Sequence, residues 1–329
     1  MSRPMKGQIA LIVAVLTVLA CKTAAAQDDG ARSYWKAMAG TNIVGFQYLP
    51  FNAVTLSPDA IDPVHYVYPE ADVEGNLFFL NYSRHVTLWG RAATLSGFLM
   101  GGTLDVEYFG GTPGAGLRQS SHGFGDPSVQ LSVNLFGAPA LPSFYAMGKY
   151  EPKAVLDIAI LGAIPIGDYD EDRVVNIGLN RWWGRVALPF TYHIGPYVPG
   201  YRTSVEIVPS VSLFAANDGF VGSELENEPL YQVEAHVTRD FTSHFFGSVD
   251  AVYRHGALST IDDTEAEEPL DALGVGFTLD FQATDNFGMR FSYHSVVGGD
   301  SEIDGDMARI MGYFGWHALV ENIKKLSEG

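Results

Sequence analysis

The sequence predicts an all-β protein, a transmembrane antiparallel β-barrel of about twelve strands behind a cleaved N-terminal signal peptide. Three observations carry that reading: polar and apolar residues alternate strictly in segment after segment, short connections interleave with long ones, and aromatics such as Trp89, Trp182, Tyr192, Phe246 and Phe314 gather near the segment ends. The composition agrees, with 47% hydrophobic residues, 36 glycines and only 18% charged residues in 329. Disorder, a disulfide scaffold and collagen are excluded on those figures. A net charge of −18 also argues against nucleic acid, whose phosphates need basic clusters.

At the N-terminus Arg3 and Lys6 precede an apolar run from Ile9 to Ala20, and Ala24-Ala25-Ala26 offers a small-residue cleavage site before Gln27. Residues 1–26 therefore read as a secretory signal peptide. An alternative makes Cys21 in Val18-Leu19-Ala20-Cys21 a lipidated first residue, but Leu19 beside the cleavage residue fits that pattern poorly. Cleavage after Ala26 removes Arg3, Lys6, Lys22 and the one cysteine, leaving 303 residues at −21 with no thiol. Residues 27–40 then form a periplasmic N-terminal segment, 41–318 the barrel and 319–329 a short tail, in which Leu319 to Leu326 is the one stretch expected to allow a short helix.

The alternation has the period of strands with one wet and one greasy face. Ser128, Gln130, Ser132 and Asn134 oppose Val129, Leu131, Val133 and Leu135; Gln232, Glu234, His236 and Thr238 oppose Tyr231, Val233, Ala235 and Val237. About twelve such segments begin near Thr41, Gly75, Arg91, Asp126, Lys153, Arg173, Arg202, Leu230, Ser243, Asp271, Phe287 and Met307. Brief links near 88–91, 195–201, 239–243 and 283–286 alternate with long ones near 50–74, 109–126, 217–229, 256–269 and 298–306. That arrangement puts both termini in the periplasm and the long loops outside the cell. A secreted β-sandwich also alternates, but its strands are shorter and its turn lengths are not regularly interleaved.

The long-side loops hold 23 of the 38 acids and a single base, Arg118, so the acidity belongs to one rim. Beside lipopolysaccharide phosphates such a rim calls for bridging divalent cations; the plain alternative is a solvated acidic loop set. Asp300, Glu302 and Asp304 alternate like the first half of a calcium loop, but Met311 stands at position twelve, so a solvated hairpin loop is the default.

If the apolar set faces lipid, the polar set lines the lumen. It comprises Asp105, Glu107, Lys153, Asp157, Arg185, Glu206, Glu234, His236, Asp250, Arg254, Asp280, Arg290 and His294. In a narrow barrel these charges either pair across the interior as a plug or line a constriction that selects solutes. Asn180, Arg181, Trp182 and Trp183 sit where the alternation slips, which predicts a bulge or turn near Gly184; an interfacial anchor is the expected role of the tryptophans. No Gly-x-Ser-x-Gly elbow, no His-Glu-x-x-His site and no phosphate loop is present, so no enzyme and no cofactor is expected.

Several clusters recur in an order that resembles a known family. They are Gly125-Asp126-Pro127, then Asn134 through Leu141, then Pro165-Ile166-Gly167-Asp168-Tyr169, then Asn176-Ile177-Gly178-Leu179-Asn180-Arg181-Trp182, followed by Phe214, Asn217-Asp218, Pro229-Leu230-Tyr231 and His236. They look like the outer-membrane family named for the meta-pathway of phenol degradation, usually described as transporters. The likeness runs over roughly residues 41–317; His255-Gly256 stands where that family tends to have paired glycines. It implies a porin-like barrel in the outer membrane of a Gram-negative bacterium, passing small hydrophobic or aromatic solutes passively and inserted by the barrel-assembly machinery. The competing reading is a closed surface barrel whose acidic loops bind cations or partners, and behind it stands an outer-membrane enzyme relying on His236 or His294. N-terminal sequencing of the mature protein is expected to begin at Gln27; a lipid-modified Cys21 as first residue would overturn the cleavage assignment.

Overall fold

The computed structural model describes residues 29–52, 72–108, 117–265, 269–299 and 306–317. The signal peptide with Cys21, the Asp300, Glu302 and Asp304 loop and the 319–329 tail lie outside the described residues. In chain order the strands are β1 (Thr41–Asn52), β2 (Asp72–Leu88), β3 (Arg91–Tyr108), β4 (Leu117–Phe124), β5 (Ser128–Phe136), β6 (Ala154–Ala163), β7 (Trp183–Ala187), β8 (Phe190–Ile194) and β9 (Thr203–Phe214). There follow β10 (Asn217–Phe220), β11 (Ser223–Asn227), β12 (Leu230–Thr242), β13 (Phe245–Gly256), β14 (Ser259–Ile261), β15 (Thr264–Glu265), β16 (Leu270–Gln282), β17 (Phe287–Gly298) and β18 (Asp306–His317).

Successive strands pair antiparallel, and β18 closes on β1 from Thr41↔His317 to Asn52↔Asp306. The result is a barrel of twelve staves, because two staves are interrupted. β4 and β5 share one stave: β3 pairs β4 through Gly101↔Phe124 and β5 through Phe98↔Ser128, with Gly125-Asp126-Pro127 between. β7 and β8 share another, parted at Leu188-Pro189, where proline has no N–H to donate to a ladder. β10, β11, β14 and β15 form a separate four-stranded sheet built from the long loops.

Closure follows from the solvent, since an unpaired N–H or C=O costs several kcal/mol in hydrocarbon. The outward face is correspondingly apolar, with Leu95, Leu131, Ile160, Val186, Val237, Val249, Leu279 and Met289 all exposed on it. Trp89, Trp182, Tyr192 and Phe314, exposed near strand ends, suit the two lipid interfaces. Phe246, expected among those aromatics, instead turns inward and is buried.

Three further expectations are corrected. The stave predicted from Arg173 begins at Trp183; residues 164–182 are a loop that turns Val175 and Ile177 inward, and of the bulge or turn expected near Gly184 the slip at Asn180–Trp183 is the turn, where this loop enters β7. The connection over 138–151 contains a short helix, α1 (Phe144–Gly148), capped by Ser143 accepting from Ala146 N. The third correction concerns Asp105 and Glu107, which face outward. Ser120 Oγ donates to Asp105, and Arg118 pairs with Glu107 at 2.6 Å. β2 and β3 have 17 and 18 residues, well beyond the 9–11 that cross a bilayer, so their upper halves stand in water. There the polarity rule inverts: the outward face is solvated, and Leu104 and Val106 point inward.

Val249→Lys, near the middle of the outward face of β13, is expected to cost about 2–4 kcal/mol of folding free energy in lipid vesicles. Glu107→Lys should cost under about 1 kcal/mol, since it gives up only an exposed pair. Equal losses in a denaturant titration would contradict the placement of Glu107 above the membrane.

A lumen filled by the N-terminal segment

The inward residues that strand phase assigns do come together. Asp157 on β6, Arg185 on β7, Glu206 on β9, Glu234 and His236 on β12, Asp250 and Arg254 on β13, Asp280 on β16 and His294 on β17 are all buried inside the barrel, with Arg290 close to them. Lys153 is exposed below β6 and is not among them. The charges are paired or hydrogen-bonded between strands, some adjacent and some one strand apart, as the cost of an isolated buried charge requires. Arg185 meets Glu234 at 2.9 Å, Arg290 meets Asp280 at 2.9 Å, His236 Nδ1 lies 2.8 Å from Asp250 Oδ1, and Arg254 Nε donates to Gln232. Thr278 Oγ1 donates to Asp250, and His294 lies 3.6 Å from the same carboxylate.

What strand phase does not foresee is the partner filling the space between these walls. Residues 29–40 run inside the lumen from Asp29 near mid-barrel to Gly40 at the short-turn end. The Asp29 and Arg32 backbone N–H groups donate to Glu234 and Glu206, and Trp35 Nε1 also donates to Glu206. Arg32 meets Asp240 at 2.5 Å, and Lys36 meets Asp157 at 2.6 Å with both side chains buried. Asp29 accepts from Arg185, and Tyr34 packs on Ala159, Ala187 and Val208.

Aromatics close the short-turn mouth around this insert. The Arg32 guanidinium lies 4.1 Å from the Trp35 ring and 3.9 Å from the Phe246 ring. Trp35 meets His193 edge-on at 5.1 Å and Tyr197 at 5.8 Å, while Arg202, paired with Asp240, sits 5.0 Å over its ring. Asp29, Arg32, Trp35, Lys36 and Asp240 were not among the residues assigned from the sequence. Two signals pointed to them: the basic and aromatic run Arg32-Ser33-Tyr34-Trp35-Lys36 in an otherwise acidic chain, and the polar series of β12 continuing to Asp240.

The opposite half of the lumen is closed by an apolar cluster. Val175 and Ile177 of the 164–182 loop pack on inward Leu49, Leu77, Leu104, Val106 and Met307, flanked by Phe79 and Met100. The motif residues hold that loop in place. Asp126 accepts Gly167 N on one oxygen and Leu179 N on the other, both at 2.8 Å. Gly167 packs so tightly that a Cβ would fall 2.7 Å from the Gly125 carbonyl carbon, and a Cβ on Gly178 would fall 2.9 Å from that of Gly167. Asn176 exchanges hydrogen bonds with Asp170, and Asn180 donates to Asn217, which donates to Tyr169. Asn180 holds φ at 54°, the left-handed region that asparagine tolerates. Arg181 donates to Asn227 and covers the Phe214 ring at 4.9 Å; burial pushes its guanidinium down to about 10. Trp182 stays exposed, and Pro127 ends the break between β4 and β5.

Residues 65–301 match the family model described as "Putative MetA-pathway of phenol degradation". The chain belongs to this family. For a member of the phenol-degradation family, no curated protein matches in sequence. Among solved structures, it is similar to the COG4313 outer membrane channel from Pseudomonas putida F1, at 15% identity and a TM-score of 0.67, covering 88% of this chain and 100% of that one. The transport unit of the autotransporter AIDA-I from Escherichia coli also matches, at 10% identity and a TM-score of 0.46, covering 95% and 99%. The fold of this family member is therefore that of an outer-membrane barrel, matching its closed strand set and apolar outer belt.

Asp126→Ala takes the acceptor from two part-buried backbone N–H groups and is expected to cost about 1–3 kcal/mol. Denaturation in detergent should read that loss, and limited proteolysis should cut within residues 164–180 earlier than in the wild type; unchanged behaviour in both would remove Asp126 as the organiser of the loop.

Proposed function

We propose that the protein is a passive outer-membrane transporter of small hydrophobic or aromatic molecules, with residues 29–40 acting as a displaceable plug. One observation carries the reading. The lumen is filled by a segment that belongs to no stave and is held by contacts that each involve a side chain, apart from the Ala39 N–H to Leu141 and Gly40 N–H to His85 carbonyl contacts at its end. A barrel intended only as a shell would fill so narrow an interior from its own walls. A docked segment, in contrast, leaves without breaking the barrel ladder.

In this reading the signal peptide is removed and the barrel-assembly machinery inserts the chain. Asp157, Glu206, Glu234, His236, Asp250, Arg254, Asp280, Arg290 and His294 line the path that opens, and no cofactor takes part. The acidic outer rim meets lipopolysaccharide through divalent cations. Family membership supports an association with aromatic compounds. No catalytic role is proposed, because His236 and His294 sit in a closed lumen among paired groups. The second reading, a permanently closed surface barrel, draws on the same buried pairs, which are costly to break.

Uptake by liposomes separates the two. Arg32→Ala with Lys36→Ala removes both buried cations of the plug and is expected to raise entry of an aromatic probe at least about tenfold over wild type. Entry should be indifferent to a proton gradient. No uptake by either protein would establish the closed barrel.

A further inference from the structure

We infer that the plug occupies a ligand site of the lumen as a built-in pseudo-ligand, and that the solute displacing it carries a protonated amine or guanidinium beside an aromatic ring. The inference rests on the transport reading above and specifies its substrate class.

The direction of the hydrogen bonds is the first support. At this site the segment donates and the wall accepts: Arg32 N and Trp35 Nε1 to Glu206, Arg32 Nη1 to Asp240, Lys36 Nζ to Asp157 and Asp29 N to Glu234. The exception is the Asp29 carboxylate, which accepts from Arg185. When the segment leaves it takes two cations and one anion; of the other guanidiniums beside it, Arg290 pairs with Asp280 and Arg309 lies against Gly30, so the guanidinium pairs left to the four wall carboxylates are those of Arg185 and Arg202. Each of those keeps a wall partner, Glu234 at 2.9 Å and Asp240 at 2.8 Å. The vacated space is therefore short of positive charge and rich in acceptors, and the missing charge is best returned by the incoming solute.

Shape is the second support. Arg32 and Trp35 present a cation 4.1 Å from an indole ring. The wall contributes a matching half: the Phe246 ring lies 3.9 Å from that cation, and His193 and Tyr197 flank the indole. A flat ring with an attached ammonium fits both places at once, through the aromatic slot and the Glu206 and Asp240 carboxylates. A neutral ring fills the slot alone, and an anion meets Glu206 and Asp240 unfavourably.

Three indoles of one ring and three charges test this: tryptamine, indole and indole-3-acetate, titrated calorimetrically into the Arg32→Ala, Trp35→Ala protein in detergent. Tryptamine is expected to bind about tenfold more tightly than indole-3-acetate, with indole between them, and Asp240→Asn added to that background should abolish the preference. Should the double variant fail to fold, amide exchange of residues 29–40 in the wild-type chain supplies the answer: tryptamine should accelerate it and indole-3-acetate should not. Equal binding, the reverse order, or no binding with no change in exchange would overturn the inference. Tryptamine binding without liposome entry of any indole would instead overturn the transport reading and leave the site standing.

Discussion

The absence of water in the bilayer core governs this molecule. Every backbone N–H and C=O that crosses must find a partner in the chain, and for strands the only complete solution is closure, here the β1–β18 ladder. Closure fixes which side chains can touch lipid and which are confined. With twelve staves the confined space is narrow, so whatever enters it is desolvated, and polar residues placed there must satisfy one another.

The two halves of the lumen meet that demand differently. Toward the short-turn end, where wall residues are carboxylates and guanidiniums, the filler is a segment bearing complementary charge; Lys36 on Asp157 and Arg32 on Asp240 are its clearest contacts. Toward the long-loop end, where β1, β2 and β3 rise out of the membrane and turn leucines inward, the filler is apolar, Val175 and Ile177. Polar filler against polar wall and apolar filler against apolar wall is one rule applied twice. The first filler is held by electrostatics, the second by burial of hydrocarbon.

The family residues acquire a physical meaning from this arrangement. Asp126 sits in the interruption between β4 and β5, where no ladder runs, and its two oxygens supply the acceptors that the loop N–H groups lack. Gly167 and Gly178 allow three backbones to meet at distances no side chain permits. These residues build the inner loop, and the motif they form is legible in the sequence for that reason.

The sequence by itself determined the barrel, the number of staves and the inward identity of Glu206, Glu234, His236, Asp250 and Asp280, because a strand has period two and each face meets a single solvent. It also exposed the Gly125–Pro127 and Asn176–Trp182 clusters. Period two carries no height, so it placed Asp105 and Glu107 in the lumen although their end of β3 stands above the lipid. Nor does it reach residues without a period: the inward fold of 164–182 and the docking of 29–40 exist only as contacts between distant segments, such as Lys36 with Asp157. Tertiary structure alone decided that the lumen is filled, because filling depends on complementary charge and shape meeting across the barrel.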